Sequence, residues 1–495
     1  MSRLVAFVLA AALVIISSSN VYATALLSEE LQLHVPWVLI QDQVLSVDLS
    51  YTPCENDACL TVAGAAERAT RPPDGAAAQV NLTDLTLHIP IISFQGNLYS
   101  ADLKYHQLGD IPRFVVTGIE PVPSPAGRGD VIAVMPLSAK TKEEITAAYF
   151  LTGFTASYGV SMNKITYVTV DPFGNLTQAS GLMAVPLNLN AAAPLVSYQH
   201  GTLVEKSESI SLPAAQQNGY DSDIVTIMAA TGYVVVAPDY LGFGDSQGLH
   251  PYMHAKSLAT AVVDIVRSAR AYCGQEGIGL NGQLFLGGYS EGGYATMAAH
   301  REMETNYPDE FIVTASAPAA GSYDLSGSML NLFLSDSPYQ EPFFLPYFLI
   351  TYNEIYGLVD SYSGLFAAPY DVSVPPLFNG SNSEQVINSV LPSVPKDMLS
   401  PELLQGLEGQ GPGIVKTALR ENDVYRWTPR APMRLYHCTG DQLVPYENSA
   451  TAYAYFAQHG APDVELIPLA YGTHEKCSLP TYFLIKDWFD SLAHW

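Results

Sequence analysis

The stretch "QLFLGGYSEGGYATMAAHREM", residues 283–303, passes from an apolar β-type segment straight into a helical one. A strand that becomes a helix at a single residue forces that residue into an unfavourable backbone angle, with tight packing on both sides. Ser290 stands at that point, with Gly288 two positions before it and Gly292 two after, and glycine relieves the crowding. The helix that follows would aim its positive end and free N–H groups at the serine. Gly-x-Ser-x-Gly alone is a weak signal in a chain with 37 glycines. Its place at a strand–helix junction gives it weight.

The surrounding pattern fits. "KITYVTVDPFGNLTQASGLMAVPL" reads as a hairpin, and "APLVSYQHGT" as a buried strand ending in a His-Gly loop. "YVVVAPDYLGFGDS" is a β-branched strand running into a glycine loop, and "MHAKSLATAVVDIVRSARAYC" is a helix. Strands alternating with helices indicate α/β: a mainly parallel sheet covered on both faces. The alternation breaks over 322–430, rich in Tyr, Phe, Leu and Pro, which reads as a helical cap inserted over the sheet's C-terminal edge. It resumes with "PMRLYHCTGD" and ends with "PTYFLIKDWFDSLAHW". The expected core segments are 146–321 and 431–495.

The N-terminal residues differ in kind. Residues 1–23 carry Arg3, an apolar run from Leu4 to Ile16 and a small-residue site at Ala23, the pattern of a signal peptide. "LQLHVPWVLIQDQVLSVDLSY" (31–51) then aligns without gaps on "LTLHIPIISFQGNLYSADLKY" (85–105), matching His34 with His88 and Asp48 with Asp102. Tyr99, Ala101, Leu103 and Tyr105 alternate with Ser100, Asp102 and Lys104, the period of a half-buried strand. Residues 24–118 are expected to be a small all-β module built by duplication, with 119–145 as a linker. His34 and His88 stand beside prolines at strand ends and read as structural.

A serine hydroxyl needs a base to remove its proton, and the base needs a carboxylate to orient it. "HCTGDQLVP" places Asp441 just after a strand, and "YGTHEKC" places His474 in a loop after the next one. Ser290, Asp441 and His474 are therefore the expected triad. His437, inside a strand, is a rival base; His250 and His254 read as loop and helix-cap residues. The oxyanion donors are expected at the N–H of Glu291 and at Thr202 in "QHGT". If the triad forms, Cys438 and Cys477, each three residues from a triad member, come close enough to pair. Cys54 and Cys59 bracket a short polar loop and can pair locally; Cys273 is left as a buried free thiol.

"YQHGT", "APDYLGFGDS", "GGYSEGGYA", "HCTGDQLVPYENS" and "GTHEKC" together resemble the α/β-hydrolase superfamily, and within it the secretory lipase/esterase, lipase A-like group. The resemblance covers residues 150–495 and leaves the duplicated module outside. It implies an α/β-hydrolase fold and an acyl-enzyme mechanism with neither cofactor nor metal. The expected activity is hydrolysis of a small-molecule, lipid or polyester ester with an apolar acyl part, by a secreted or periplasmic protein. The alternatives are a serine peptidase or amidase of the same fold, or a catalytically silent binding protein using the β module. With 22 Lys+Arg against 48 Asp+Glu, the net charge of -26 opposes nucleic-acid binding and docking on anionic membranes. After the signal peptide no segment is long and apolar enough for stable membrane insertion.

Overall fold

The computed structural model describes residues 127–495 apart from 213–218 and 410–412, together with eight strands before residue 127. The expected signal peptide and Cys54 lie outside the described residues, and the Cys54–Cys59 pairing with them. The chain divides into two compact units between Ala126 and Gly127.

The first unit is an eight-stranded sheet: β1 (Ala25–Leu27), β2 (Gln32–Ile40), β3 (Gln43–Pro53), β4 (Ala58–Glu67), β5 (Ala78–Asn81), β6 (Thr86–Phe94), β7 (Asn97–Leu108) and β8 (Ile111–Val122). Its order is β1-β2-β3-β4-β8-β7-β6-β5, and β1 also pairs with β6 and β2 with β5, so the sheet closes on itself. The repeat seen in sequence reappears in the hydrogen-bond register. The β2–β3 ladder slips between Val35 and Val38, and the β6–β7 ladder between Ile89 and Ile92. The slips between Asp48/Leu49 and between Asp102/Leu103 correspond in the same way. The halves meet where Leu60 faces Phe114, with Cys59 opposite Val115 and Thr61 opposite Arg113, the pattern of a pseudo-two-fold axis. Leu87, Ile89, Ala101 and Leu103 are buried while His88, Asp102 and Lys104 are exposed, as the alternation predicts. His88 Nδ1 lies 2.7 Å from Asp102 Oδ1 across the β6–β7 pair.

The second unit is built on nine strands: β9 (Val131–Lys140), β10 (Val160–Val170), β11 (Leu176–Pro186), β12 (Ala193–Gln199), β13 (Val234–Pro238), β14 (Leu280–Tyr289), β15 (Ala315–Ala319), β16 (Met433–Cys438) and β17 (Val464–Leu469). They lie in the order β17-β16-β15-β14-β12-β13-β11-β10-β9. From β13 to β17 every pairing is parallel, and β9, β10 and β11 add an antiparallel flank. The parallel strands β12, β13 and β15 are buried at every position because helices cover both faces. Helices 255–275 and 291–306 pack on one face; 220–230 and 474–492 pack on the other.

The expected linker over 119–145 is not one. Residues 119–122 finish β8, 131–140 form the edge strand β9, and 142–148 form a helix capped by Thr141 and Glu144. Pro136 hides the strand in the sequence. It is tolerated because β9 is an edge strand and its ladder slips there, with Ser138 facing Met162 and Pro136 facing Asn163. Between β15 and β16 the cap contributes the 13-residue helix Phe344–Tyr356, the shorter Pro401–Glu408 and Ile414–Glu421, and several single turns. Cys273 is a buried free thiol in helix 255–275, its pKa pushed up to about 11 by burial. Among the described residues no helix is long and apolar enough to cross a membrane.

Candidate active site

Ser290 lies between the last residue of β14 and the first of helix 291–306, with φ 62° and ψ -124°. Its N–H is held by Ala319 O at 2.9 Å, on the neighbouring strand. The flanking glycines are there for space. A Cβ at Gly288 would lie 2.5 Å from Gly292 O, and one at Gly292 would lie 2.0 Å from Gln199 O. No side chain fits there without moving β12 away from β14, so the strained turn is fixed by the packing around it.

Asp441 follows β16, and His474 opens helix 474–492. His474 Nδ1 lies 2.6 Å from Asp441 Oδ2. The carboxylate can only accept, so Nδ1 carries the hydrogen and Nε2 keeps its lone pair, the form a general base needs. Asp441 Oδ1 accepts from the N–H groups of Leu443 (3.0 Å) and Val444 (2.8 Å). Cys438 and Cys477 form a disulfide with Cα atoms 6.1 Å apart, tying the loop of Asp441 to the first turn of the helix that His474 opens.

His437 is not placed as a base. It is buried in β16 with Nδ1 2.7 Å from Ser449 Oγ and Nε2 2.8 Å from Val444 O. A carbonyl only accepts, so Nε2 carries a hydrogen, which also faces Asp441 Oδ2 at 3.3 Å. His437 thus supports the acid from behind. Burial alone would raise the Asp441 carboxyl; hydrogen bonds from His437 and His474 outweigh it and hold it down at about 2. A carboxyl depressed by folding adds stability above its unfolded pKa and loses it as the pH falls through the folded value. The contribution, about 2 kcal/mol, should be complete above about pH 4 and vanish toward pH 2. Asp441→Asn should flatten the stability curve over that interval in urea titrations; an unchanged slope would show that the carboxyl is not depressed.

Tyr289, the residue before Ser290, contacts His474. Its hydroxyl donates to His474 O at 2.8 Å, and its ring centroid lies 4.9 Å from the imidazole. No hydrogen bond joins the Ser290 hydroxyl to His474 among the described residues; such contacts often tighten only when substrate binds. The His200–Thr202 loop passes beside the serine, since a Cβ on Gly201 would lie 3.9 Å from Ser290 Cβ. Glu291 is the first helical residue, so its N–H has no intrahelical acceptor. Both expected oxyanion donors therefore stand on elements adjoining Ser290.

A cavity opens at Ser290, walled by Tyr252, Met329, Phe333, Phe344 and Phe348. A second cavity shares Leu325, Met329, Phe333 and Phe348 and continues into the cap to Leu407 and Leu419. Each holds about 20 Å³, little more than one water. The sequence did not single out these wall residues or Tyr289, and it read His250 only as a loop or cap residue, whereas His250 is the buried partner of the Glu291 side chain, 2.7 Å away. A charged residue between Ser290 and Gly292 at a buried helix start was the available signal for that pair. Among the described residues, no group of three or more His, Cys, Asp or Glu is placed to hold a metal ion.

The secretory lipase family matches residues 211–323, the segment that contains Ser290. The rice cell wall degrading esterase LipA from Xanthomonas oryzae, in a ligand-bound form, superposes with a TM-score of 0.66 at 28% identity, over 73% of this chain and 96% of that one. Candida antarctica lipase A superposes with a TM-score of 0.55 at 16% identity, over 74% and 84%, a likeness of fold. No curated protein matches the chain.

Proposed function

The chain is similar to the secretory lipases and esterases, with the α/β-hydrolase fold, and from that premise we propose that it is a secreted serine esterase that hydrolyses esters with an apolar acyl part through an acyl-enzyme. The observation that carries this reading is the His474–Asp441 pair at 2.6 Å, its aspartate two strands over from a serine strained out of ordinary backbone space at the mouth of an apolar cavity. Ser290 Oγ attacks the ester carbonyl while His474 Nε2 takes its proton. Asp441 fixes the imidazole's tautomer and stabilises its charge. The N–H groups of Glu291 and Thr202 bind the oxyanion, and His474 then protonates the departing alcohol. Water attacks the acyl-enzyme by the same route and releases the acid.

The apolar walls lead from Ser290 into the cap, so the acyl chain goes that way. The space is too narrow for several methylenes as it stands, so the cap must shift to admit one. Esters of p-nitrophenol from C2 to C16, run beside amino-acid p-nitroanilides, test the reading. Ester turnover without anilide turnover supports it; the reverse pattern makes the protein a peptidase or amidase. Phe348 walls both cavities. Phe348→Trp should lower kcat/KM for C8 and longer esters by about 10-fold or more while leaving C2 within about three-fold, since each blocked methylene forfeits about 0.8 kcal/mol. A uniform loss across chain lengths would place the acyl group elsewhere.

A further inference from the structure

The side chain of Glu291 points inward. A glutamate in a first helical turn normally lies in solvent, but this one is 0% exposed, directly after the nucleophile. Its Oε1 lies 2.7 Å from Nε2 of His250, which is 2% exposed. His250 Nδ1 lies 2.8 Å from Leu241 O, and a carbonyl only accepts, so Nδ1 carries a hydrogen. The Nε2···Oε1 contact needs one more proton between its partners. The pair therefore holds two protons and is neutral overall. Neutrality matters here, because a bare carboxylate one residue from the nucleophile would oppose the charge that develops on the oxyanion.

The His250 ring is also a hub. Tyr240, Tyr252 and Tyr347 pack around it with centroids 5.8, 6.2 and 6.1 Å away. Each of these tyrosines puts its hydroxyl against the 200–203 loop. Tyr240 donates to His200 O at 3.2 Å, Tyr347 donates to Leu203 O at 3.3 Å, and the Tyr252 hydroxyl lies 3.4 Å from Thr202 Oγ1. One imidazole thus braces Glu291 directly and the 200–203 loop through three phenols. Among the described residues Glu291 Oε2 is buried without a partner, and His250 is what holds the carboxyl.

We propose that Glu291 and His250 are positioning residues that hold the two oxyanion-binding amides, those of Glu291 and Thr202, in register with each other. This rests on the reading of Ser290 as nucleophile. The pair contributes little to binding the substrate's ground state and much to its transition state.

The test measures kcat, KM and the inhibition constant of an aryl trifluoromethyl ketone, which forms a tetrahedral adduct with the serine, on the full-length protein. Glu291→Ala and His250→Phe should each lower kcat about 10- to 100-fold, with KM within about three-fold and inhibitor affinity reduced by the same factor as kcat. His250→Phe keeps a ring for the tyrosines, so it carries the test if the alanine variant does not fold. Glu291→Gln retains a donor for Nε2 and should stay within about five-fold of wild type. Inhibitor affinity that does not follow kcat would overturn the proposal, as would a glutamine variant as impaired as the alanine one. The underlying reading fails separately, if Ser290→Ala still turns over ester or still reacts with a fluorophosphonate.

Discussion

Ser290→Ala should reduce kcat for p-nitrophenyl butyrate on the order of a million-fold and abolish labelling by a fluorophosphonate, with thermal unfolding unchanged. A hydroxyl becomes nucleophilic only when a positioned base can take its proton, and the base proposed here, His474, is held from two sides. Asp441 fixes the Nδ1 hydrogen of His474 at 2.6 Å, and the Tyr289 hydroxyl holds the His474 carbonyl at 2.8 Å. Removing either the nucleophile or the base stops the same step. His474→Ala should therefore be about as damaging as Ser290→Ala, and the double variant no worse than either. Asp441→Asn should be milder, about 10⁴-fold, because the imidazole remains but favours the wrong tautomer. Residual hydrolysis in Ser290→Ala above about one part in a thousand of wild type would move the nucleophile elsewhere.

The second large effect concerns the Cys438–Cys477 bridge. It spans 39 positions and joins the loop that carries the acid to the helix that starts with the base. Closing a loop of that length should stabilise the fold by about 4 kcal/mol, chiefly by restricting the unfolded chain. Cys438→Ala with Cys477→Ala should lower the melting temperature by about 5–10 °C. Activity should fall further than stability explains at room temperature. Thr439 N–H to Leu469 O, at 2.9 Å, remains the main backbone tie between the two loops near the bridge. An error of about 1 Å between acid and base can cost about 100-fold in rate. Equal melting curves with and without reductant would show that the bridge carries no load; a lower melting point with kcat untouched would confine it to stability.

Much of the site was legible because it obeys local rules. The strand–helix junction at 283–303 needs only the apolar run, the serine and the spacing of Gly288 and Gly292. Asp441 and His474 could be read because each follows a short apolar strand. The duplication could be read from paired residues such as His34 and His88, and its hairpin registers follow it. The edge strand at 131–140 could not, because Pro136 and the glycine-rich approach imitate a linker and only the partner strand shows that a bulge absorbs the proline.

By itself, then, the sequence determined the alternation of strands and helices in the core and the turn that strains Ser290, and it supplied the three side chains proposed as the triad, since each depends on neighbours a few residues away. Tertiary structure alone decided which buried polar groups meet. His250 reaches Glu291, 41 positions away, only because the fold sets the loop after β13 against the start of helix 291–306, whereas His437 meets Asp441 four residues further along its own segment. Closure of the β module through β1–β6 and β2–β5 was likewise invisible in the chain. Burial makes an unpaired polar group costly, and its partner is chosen by proximity in space, which spacing along the chain does not encode.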